Sequence, residues 1–517
     1  MDRNSESTDG GPRDPAAVID DPVPRSWGWP TPGGGRAGHV EAGARFAGTT
    51  SQLCGLFPFA TASGGDVRGV PVGRHLHTAE PVGLDPAHWL RTGLVSNTGV
   101  WVQGQPGIGK SSITKRMLAG LVAFGMRAVI PGDIKGEYTP LVTALGGAVW
   151  HLGRGLHSLN PLDAGPLRAA LTRAPAEQRT RLVETLRARR LSLLEALITI
   201  VRRDEPDVTE RRLLGTALDI AVTTAGTREP LIPDVLAVLL SAAAPLMSIT
   251  AAADDLDYRR ITRALVNALG LLCDGTLRGI FDRPSTARFD PDTPAVSLDI
   301  SALDDDADDV VAAAMLCSWA WSAALADAAA HGEQPRNVVQ VQDELWRALR
   351  AAPGLVERSD RITRLGRHRG VVSFQVTHSL DDLDALPTEA DRAKARGLAS
   401  RNGVLLLGGM AESELDGLRR ITSLSEGEAA LITSWAAPPT WHAGRLHPGR
   451  GKYLIKSGQR VGLPVALTLT PSEVALHDTD RAFNQGGHDG GPDPDAAPTA
   501  TAASARRAHR RAGRSSR

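Results

Sequence analysis

Gly104-Gln105-Pro106-Gly107-Ile108-Gly109-Lys110-Ser111-Ser112 is the stretch from which the rest of the chain is read. It contains G-x-x-x-x-G-K-S, a phosphate-binding pattern. The apolar run Gly99-Val100-Trp101-Val102 precedes it, and Ile113 to Leu118 follows as a helical segment. Glycines at these places let backbone N–H groups close around phosphate oxygens, and the following helix turns its positive N-terminus toward them. Lys110 is placed to reach β- and γ-phosphates, and Ser111 to ligate Mg²⁺. A glycine-rich turn is the competing reading, and the strand and helix flanks argue against it.

Composition adds weight to Lys110. The chain has 58 Lys and Arg, of which only positions 110, 115, 135, 394, 452 and 456 are lysine. In so lysine-poor a chain a lysine at the motif position carries weight, since a planar guanidinium does not replace a compact ammonium freely.

The bulk properties set few other limits. At 517 residues the chain has room for about two or three domains or one heavily inserted one. Its 58 acidic and 58 basic residues balance, so global charge does not argue for a polyanionic partner. Cys54, Cys273 and Cys317 show no C-x-x-C spacing, which speaks for a reducing cytoplasm and against a zinc site. Met1 to Arg25 is polar and proline-rich, unlike a signal peptide. Two alanine-rich runs, Val235–Ala253 and Val310–Ala330, approach membrane-span length. Pro245 interrupts the first and Asp327 sits in the second, so both read as buried helices.

The pattern predicts an α/β fold with a mainly parallel sheet. Residues 1–44 read as a disordered arm, 45–96 as a β-rich lead-in, 97–164 as the first part of the core, and 165–290 as a helical insertion. Residues 291–480 read as the second part of the core and 481–517 as a disordered basic tail. Strands are expected at Arg127–Asp133, Ala148–Leu152, Ala295–Ile300, Val338–Gln342, Val371–Thr377 and Val404–Leu407. Helices at about 306–331, 353–367, 380–400 and 411–435 separate the later ones, as a parallel sheet covered on both faces requires. Tyr453–Ile455 and Leu463–Leu469 are expected to add a hairpin at the sheet edge. The acidic run Asp304 to Asp309 reads as helix N-terminal carboxylates rather than a metal site.

A phosphate loop needs a partner strand that ends in an acid. Val338-Val339-Gln340-Val341-Gln342-Asp343-Glu344 supplies one, with Asp343 as the Mg²⁺ acid and Glu344 as general base toward the attacking water. Asp299, ending Val296-Ser297-Leu298-Asp299, is the competitor and lacks the second carboxylate. The next strand ends in Thr377-His378-Ser379, so His378 is the candidate to sense the γ-phosphate, with Gln375 behind it. Arg358, Arg361, Arg364, Arg367 and Arg369 precede that strand. They read either as a solvated helix face or as the source of an arginine finger for a neighbouring subunit.

Taken together these residues resemble the conjugative-transfer and type IV secretion ATPases (TraC/TraG-like) of the HerA–FtsK group of P-loop motors. Phe57-Pro58-Phe59 with Pro81–Asp85 resembles the lead-in. Gly132-Asp133-Ile134-Lys135-Gly136-Glu137-Tyr138, Leu145-Gly146-Gly147 and Leu159-Asn160-Pro161-Leu162-Asp163 resemble the second-strand region. Gln342-Asp343-Glu344-Leu345-Trp346 is similar to the Asp-Glu-x-Trp motif, and Gly370 to Ser379 to the sensor strand.

The resemblance implies a RecA-like P-loop NTPase core that takes ATP and Mg²⁺. The loop Gly104 to Ser112 would hold the phosphates, Ser111 and Asp343 the metal, and Glu344 the water. Arg367 would stand at the trans-acting position, with Arg364 and Arg369 close in register. His378 stands where the family has glutamine. The resemblance implies a large N-terminal domain, and the expected arm, residues 1–44, reads as a departure from it. The expected function is an ATP-hydrolysing motor, a hexameric ring that powers conjugative DNA transfer or type IV secretion-like transport. DNA is its expected polymer partner. It would be cytoplasmic, with a membrane-embedded transfer complex as a second partner at the inner face of the membrane. The alternatives are a HerA/FtsK-like DNA translocase without a secretion channel and a nucleotide-regulated scaffold ATPase.

Overall fold

The computed structural model describes residues 68–290, 292–330, 336–351, 356, 369–380, 386, 388–436, 447 and 449–477. The expected arm, the Phe57-Pro58-Phe59 segment, the basic tail, Arg358, Arg361, Arg364 and Arg367 lie outside these residues.

The described strands are β1 (Val70–His75), β2 (Pro81–Leu84), β3 (Val100–Gln103), β4 (Arg127–Asp133), β5 (Ala148–His151), β6 (Ala295–Asp299), β7 (Val338–Gln342), β8 (Val371–Thr377), β9 (Val404–Leu407), β10 (Lys452–Lys456) and β11 (Leu463–Leu467). They form one sheet in the order β2-β1-β11-β10-β9-β3-β8-β7-β4-β6-β5. From β9 to β5 every pairing is parallel, and from β9 through β10, β11 and β1 to β2 every pairing is antiparallel. This is the RecA-like P-loop NTPase fold.

The central strands are buried at every position and mostly apolar, as parallel strands sandwiched between helices must be. Alternation along β3 shows the two faces. Val100 and Val102 pack with Ile113, Met117 and Leu121 of the helix Lys110–Ala123. Trp101 points into the opposite core, which a run of helices between β5 and β6 completes. In that run, Asp207 and Glu210 cap Val208–Ala225 reciprocally, with the Glu210 amide 2.8 Å from the Asp207 carboxylate.

Three expectations change. The β10–β11 hairpin does not lie at the edge: β1 pairs with β11, so β1 and β2 extend the same sheet beyond it. The single helix expected over 411–435 is two, Glu412–Arg419 and Glu426–Ala436. Ser425 and Glu428 form a capping box that starts the second afresh. The helix expected from 380 is described from Glu389, where Thr388 caps it through the Asp391 amide at 3.0 Å.

The two alanine-rich runs behave differently. Val235–Ala253 is split into Ile232–Leu240 and Ala244–Thr250, bent by 73°. Asp308–Ala328 is long and apolar enough to cross a membrane, yet 83% of its apolar window is buried inside the protein. At its start Asp308 and Asp309 occupy the first helical turn.

One buried ion pair ties the antiparallel flank together. Lys456 on β10, 1% exposed, places Nζ 3.0 and 3.2 Å from the Glu428 carboxylate. The same carboxylate accepts from the Gly462 amide at 2.6 Å. Removing the ammonium strands a buried carboxylate, so Lys456→Ala should lower unfolding free energy by about 3–5 kcal/mol in urea denaturation. An unchanged midpoint would mean that water reaches Glu428.

Candidate active site

The phosphate loop joins the C-terminal end of β3 to the helix Lys110–Ala123, as the sequence places it. Gly107 and Gly109 have φ of 81° and 97°, where a side chain is strained. A Cβ at Gly109 would also stand 2.9 Å from the Tyr453 hydroxyl. That hydroxyl donates to the Gly109 carbonyl at 2.6 Å, so β10 braces the loop from behind. The tip, Pro106 and Gly107, faces solvent. Ser111 and Ser112 are half-buried in the first helical turn.

Lys110 is 7% exposed and turns back on its own loop. Its Nζ donates to the carbonyls of Gly104 at 2.7 Å and Gln105 at 3.1 Å, and lies 2.9 Å from His378 Nδ1. Burial lowers its pKa to about 8, with Asp343 and Glu344 opposing the fall.

The strand order places β8 between the loop strand β3 and β7. His378, just past β8, therefore stands between the loop and the acids that follow β7. Its Nε2 lies 3.1 Å from Glu344 Oε1. With Nδ1 receiving the Lys110 ammonium, the proton belongs on Nε2 and is donated to Glu344.

Glu344 is the most constrained residue of the site. It is 8% exposed and has φ of 50°, a left-handed conformation costly to a side chain of this kind. Lys135 Nζ lies 2.5 Å from Oε1, and Trp346 Nε1 donates to Oε2 at 2.6 Å. Burial pushes its carboxyl up, but the hydrogen bonds from His378 and Lys135 outweigh this and hold it well below the usual carboxylate range. Asp343 goes the other way. Burial raises its pKa, although the Tyr138 hydroxyl donates to Oδ2 at 2.8 Å and the Glu344 amide to Oδ1 at 3.0 Å. A carboxylate so desolvated fits a divalent cation, which would restore its charged form. The glycine cradle, the inward ammonium and the helix N-terminus likewise fit a phosphate chain.

The other sequence candidates fall elsewhere. Asp299, ending β6, is separated from β7 by β4. It takes Thr139 Oγ1 at 2.9 Å, the Ser301 amide at 2.9 Å and His151 Nδ1 at 3.0 Å. Gln375 is fully buried in β8, where its amide bonds Gln342 at 3.3 Å and Asn402 at 2.9 Å. Arg369 pairs with Asp327, Nε to Oδ1 3.3 Å. Asn160 has a structural contact: its Nδ2 donates to the Pro230 carbonyl at 3.0 Å, linking the core to the helical run.

Sequence reasoning gave no role to Lys135, Tyr138, Trp346 or Tyr453. Lys135 had a usable signal, because it is as rare a lysine as Lys110 in an arginine-rich chain. Lys115 is a further case. It is 1% exposed, lies 3.9 Å from Glu137 and packs 5.5 Å from the Tyr138 ring centroid.

The fold and the loop define the protein as having a P-loop NTPase architecture. Comparison with one solved structure agrees in fold. The chain is similar to VirB4 of Thermoanaerobacter pseudethanolicus, at 19% identity and a TM-score of 0.61, with 80% of this chain and 99% of that one covered. The bacterial conjugative coupling protein TrwB, in an unbound form, matches at 14% identity and a TM-score of 0.46 over 78% of this chain and 90% of that one. No family model matches the chain, and no curated protein does.

Proposed function

We propose that the protein is an ATP-hydrolysing motor of the conjugative-transfer and type IV secretion kind, working as a ring. The observation that carries the catalytic reading is the contact of Lys110 with His378 across 268 residues of sequence, and of His378 with Glu344. The Asp-Glu-x-Trp and phosphate-loop motifs, with the VirB4-like fold, support the choice of family.

In this reading Lys110 exchanges its loop carbonyls for phosphate oxygens as ATP binds. Ser111 and Asp343 would hold Mg²⁺, which would supply charge neutralisation at the phosphates. Glu344 orients the attacking water and accepts its proton, and His378 reports the γ-phosphate from the end of β8. The test is ATPase rate against protein concentration, with and without single- and double-stranded DNA. A rate that rises with concentration and with DNA supports a DNA-moving ring. A rate that DNA leaves unchanged favours protein transport or a scaffold ATPase, and co-purification with membrane components separates a secretion motor from a free translocase.

Two further outcomes follow. Lys110 titrates near 8 without nucleotide, and phosphate raises that value. ATP affinity is therefore full below about pH 8 and weakens as pH rises from there toward the raised value. Binding at pH 8.5 should take up protons, seen as a buffer-dependent heat in calorimetry. No uptake would mean that Lys110 is fully charged beforehand. Arg367 is proposed to act in trans. Mixing Arg367→Ala with Lys110→Ala subunits should restore part of the activity, and no recovery would assign the arginine to its own subunit or to none.

A further inference from the structure

We infer that Lys135 is a positioning residue that restrains Glu344, holding it in a resting arrangement until the site is loaded; this rests on Glu344 being the base. A carboxylate offers about four lone-pair sites. In Glu344 three are taken: Oε1 by Lys135 at 2.5 Å and His378 at 3.1 Å, and Oε2 by Trp346 at 2.6 Å. Lys135 and Trp346 are donors only, so neither can pass a proton on from the carboxylate. A base with its oxygens so occupied is poorly placed to accept from water.

The three donors differ in freedom. Trp346 sits in the first turn of the helix Leu345–Ala351, and His378 follows β8 directly with its side chain 32% exposed. Lys135 sits in the turn after β4, between Gly132 with φ of 85° and Gly136 with φ of 65°. Its side chain is 49% exposed, whereas that of Glu344 is 10% exposed. The ammonium can thus withdraw into water, where it keeps its solvation, without uncovering the core. A chain of contacts links the two ends of the site, from Lys110 to His378 to Glu344 to Lys135. When phosphates draw Lys110 away, His378 loses its partner, and its hold on Glu344 is free to change. Occupancy of the loop thereby reaches the Glu344–Lys135 pair.

Two measurements on the full chain test this. A water-soluble carbodiimide should join Lys135 to Glu344 in nucleotide-free protein, detected as a linked tryptic peptide by mass spectrometry. Its yield should fall severalfold when Mg²⁺ and a non-hydrolysable ATP analogue are bound. Lys135→Met should raise unstimulated kcat by about threefold or more, with the Kd for a fluorescent ATP analogue within about twofold of the parent, because the change touches the base rather than the phosphate cradle. Lys135→Arg, which keeps a cation, should return kcat toward the parent. A crosslink yield unaffected by nucleotide, or a kcat in Lys135→Met that is unchanged or lower, overturns the restraint. Glu344→Gln is the control in the same assay: normal turnover there overturns the base assignment itself, whereas its inactivity beside an unimproved Lys135→Met rejects the restraint alone.

Discussion

Glu344→Gln should slow ATP turnover by about 10²–10⁴-fold while leaving nucleotide affinity within a few-fold of the parent. The amide keeps the size of the carboxylate, so the contact from Trp346 survives, but it removes the group that takes the proton from water. Lys135 then faces a neutral amide in place of an anion at 2.5 Å. Its ammonium keeps water on its exposed side, so the fold should tolerate the change. Steady-state phosphate release and equilibrium binding of a fluorescent ATP analogue check both halves. Loss of affinity equal to the loss of turnover would move Glu344 from the chemistry to the cradle.

Lys110→Ala should produce the complementary defect. Charge-assisted hydrogen bonds are worth about 1.5–3 kcal/mol each, so losing those to the phosphates should weaken ATP binding by about two orders of magnitude. The substitution also leaves the Gly104 and Gln105 carbonyls and His378 Nδ1 without their present donor. Fold damage is separable from this, because helix Lys110–Ala123 is held by Ile113, Met117 and Leu121 in the core. Circular dichroism and thermal unfolding near parental values, with ATP binding largely lost, is the expected combination. Retained affinity would place the phosphates elsewhere.

The strands that bear the site were legible because their signals are local. Val338–Gln342, Val371–Thr377 and Val404–Leu407 are short apolar runs between helical stretches, and the structure forms them with those limits. The phosphate loop was legible because its glycines, lysine and flanks lie within one contiguous stretch.

What sequence did not disclose depends on pairing across long separations. Nothing in the spacing says that β1 meets β11, and that contact moves the β10–β11 hairpin from the edge to the interior. Lys135 and Glu344 are 209 residues apart, so their contact exists only once β4 lies beside β7. The break after Arg419 is a different kind of miss. Ser425-Glu426-Gly427-Glu428 is a capping-box sequence, yet the apolar content on both sides masked it. Sequence set Asp343 ahead of Asp299 because a second carboxylate, Glu344, follows it. The contacts add what spacing cannot: Asp299 accepts from His151, Thr139 and Ser301, while Glu344 beside Asp343 reaches the phosphate loop through His378.

The central claim is that one site built from the phosphate loop and Glu344 binds and hydrolyses ATP. Its most direct test is the chemical identity of nucleotide retained by Glu344→Gln protein after incubation with Mg²⁺ and labelled ATP and passage through a desalting column. Intact ATP should be recovered from this variant, with none from Lys110→Ala and ADP from the parent. Recovery of ADP from Glu344→Gln at the parental rate would contradict the account.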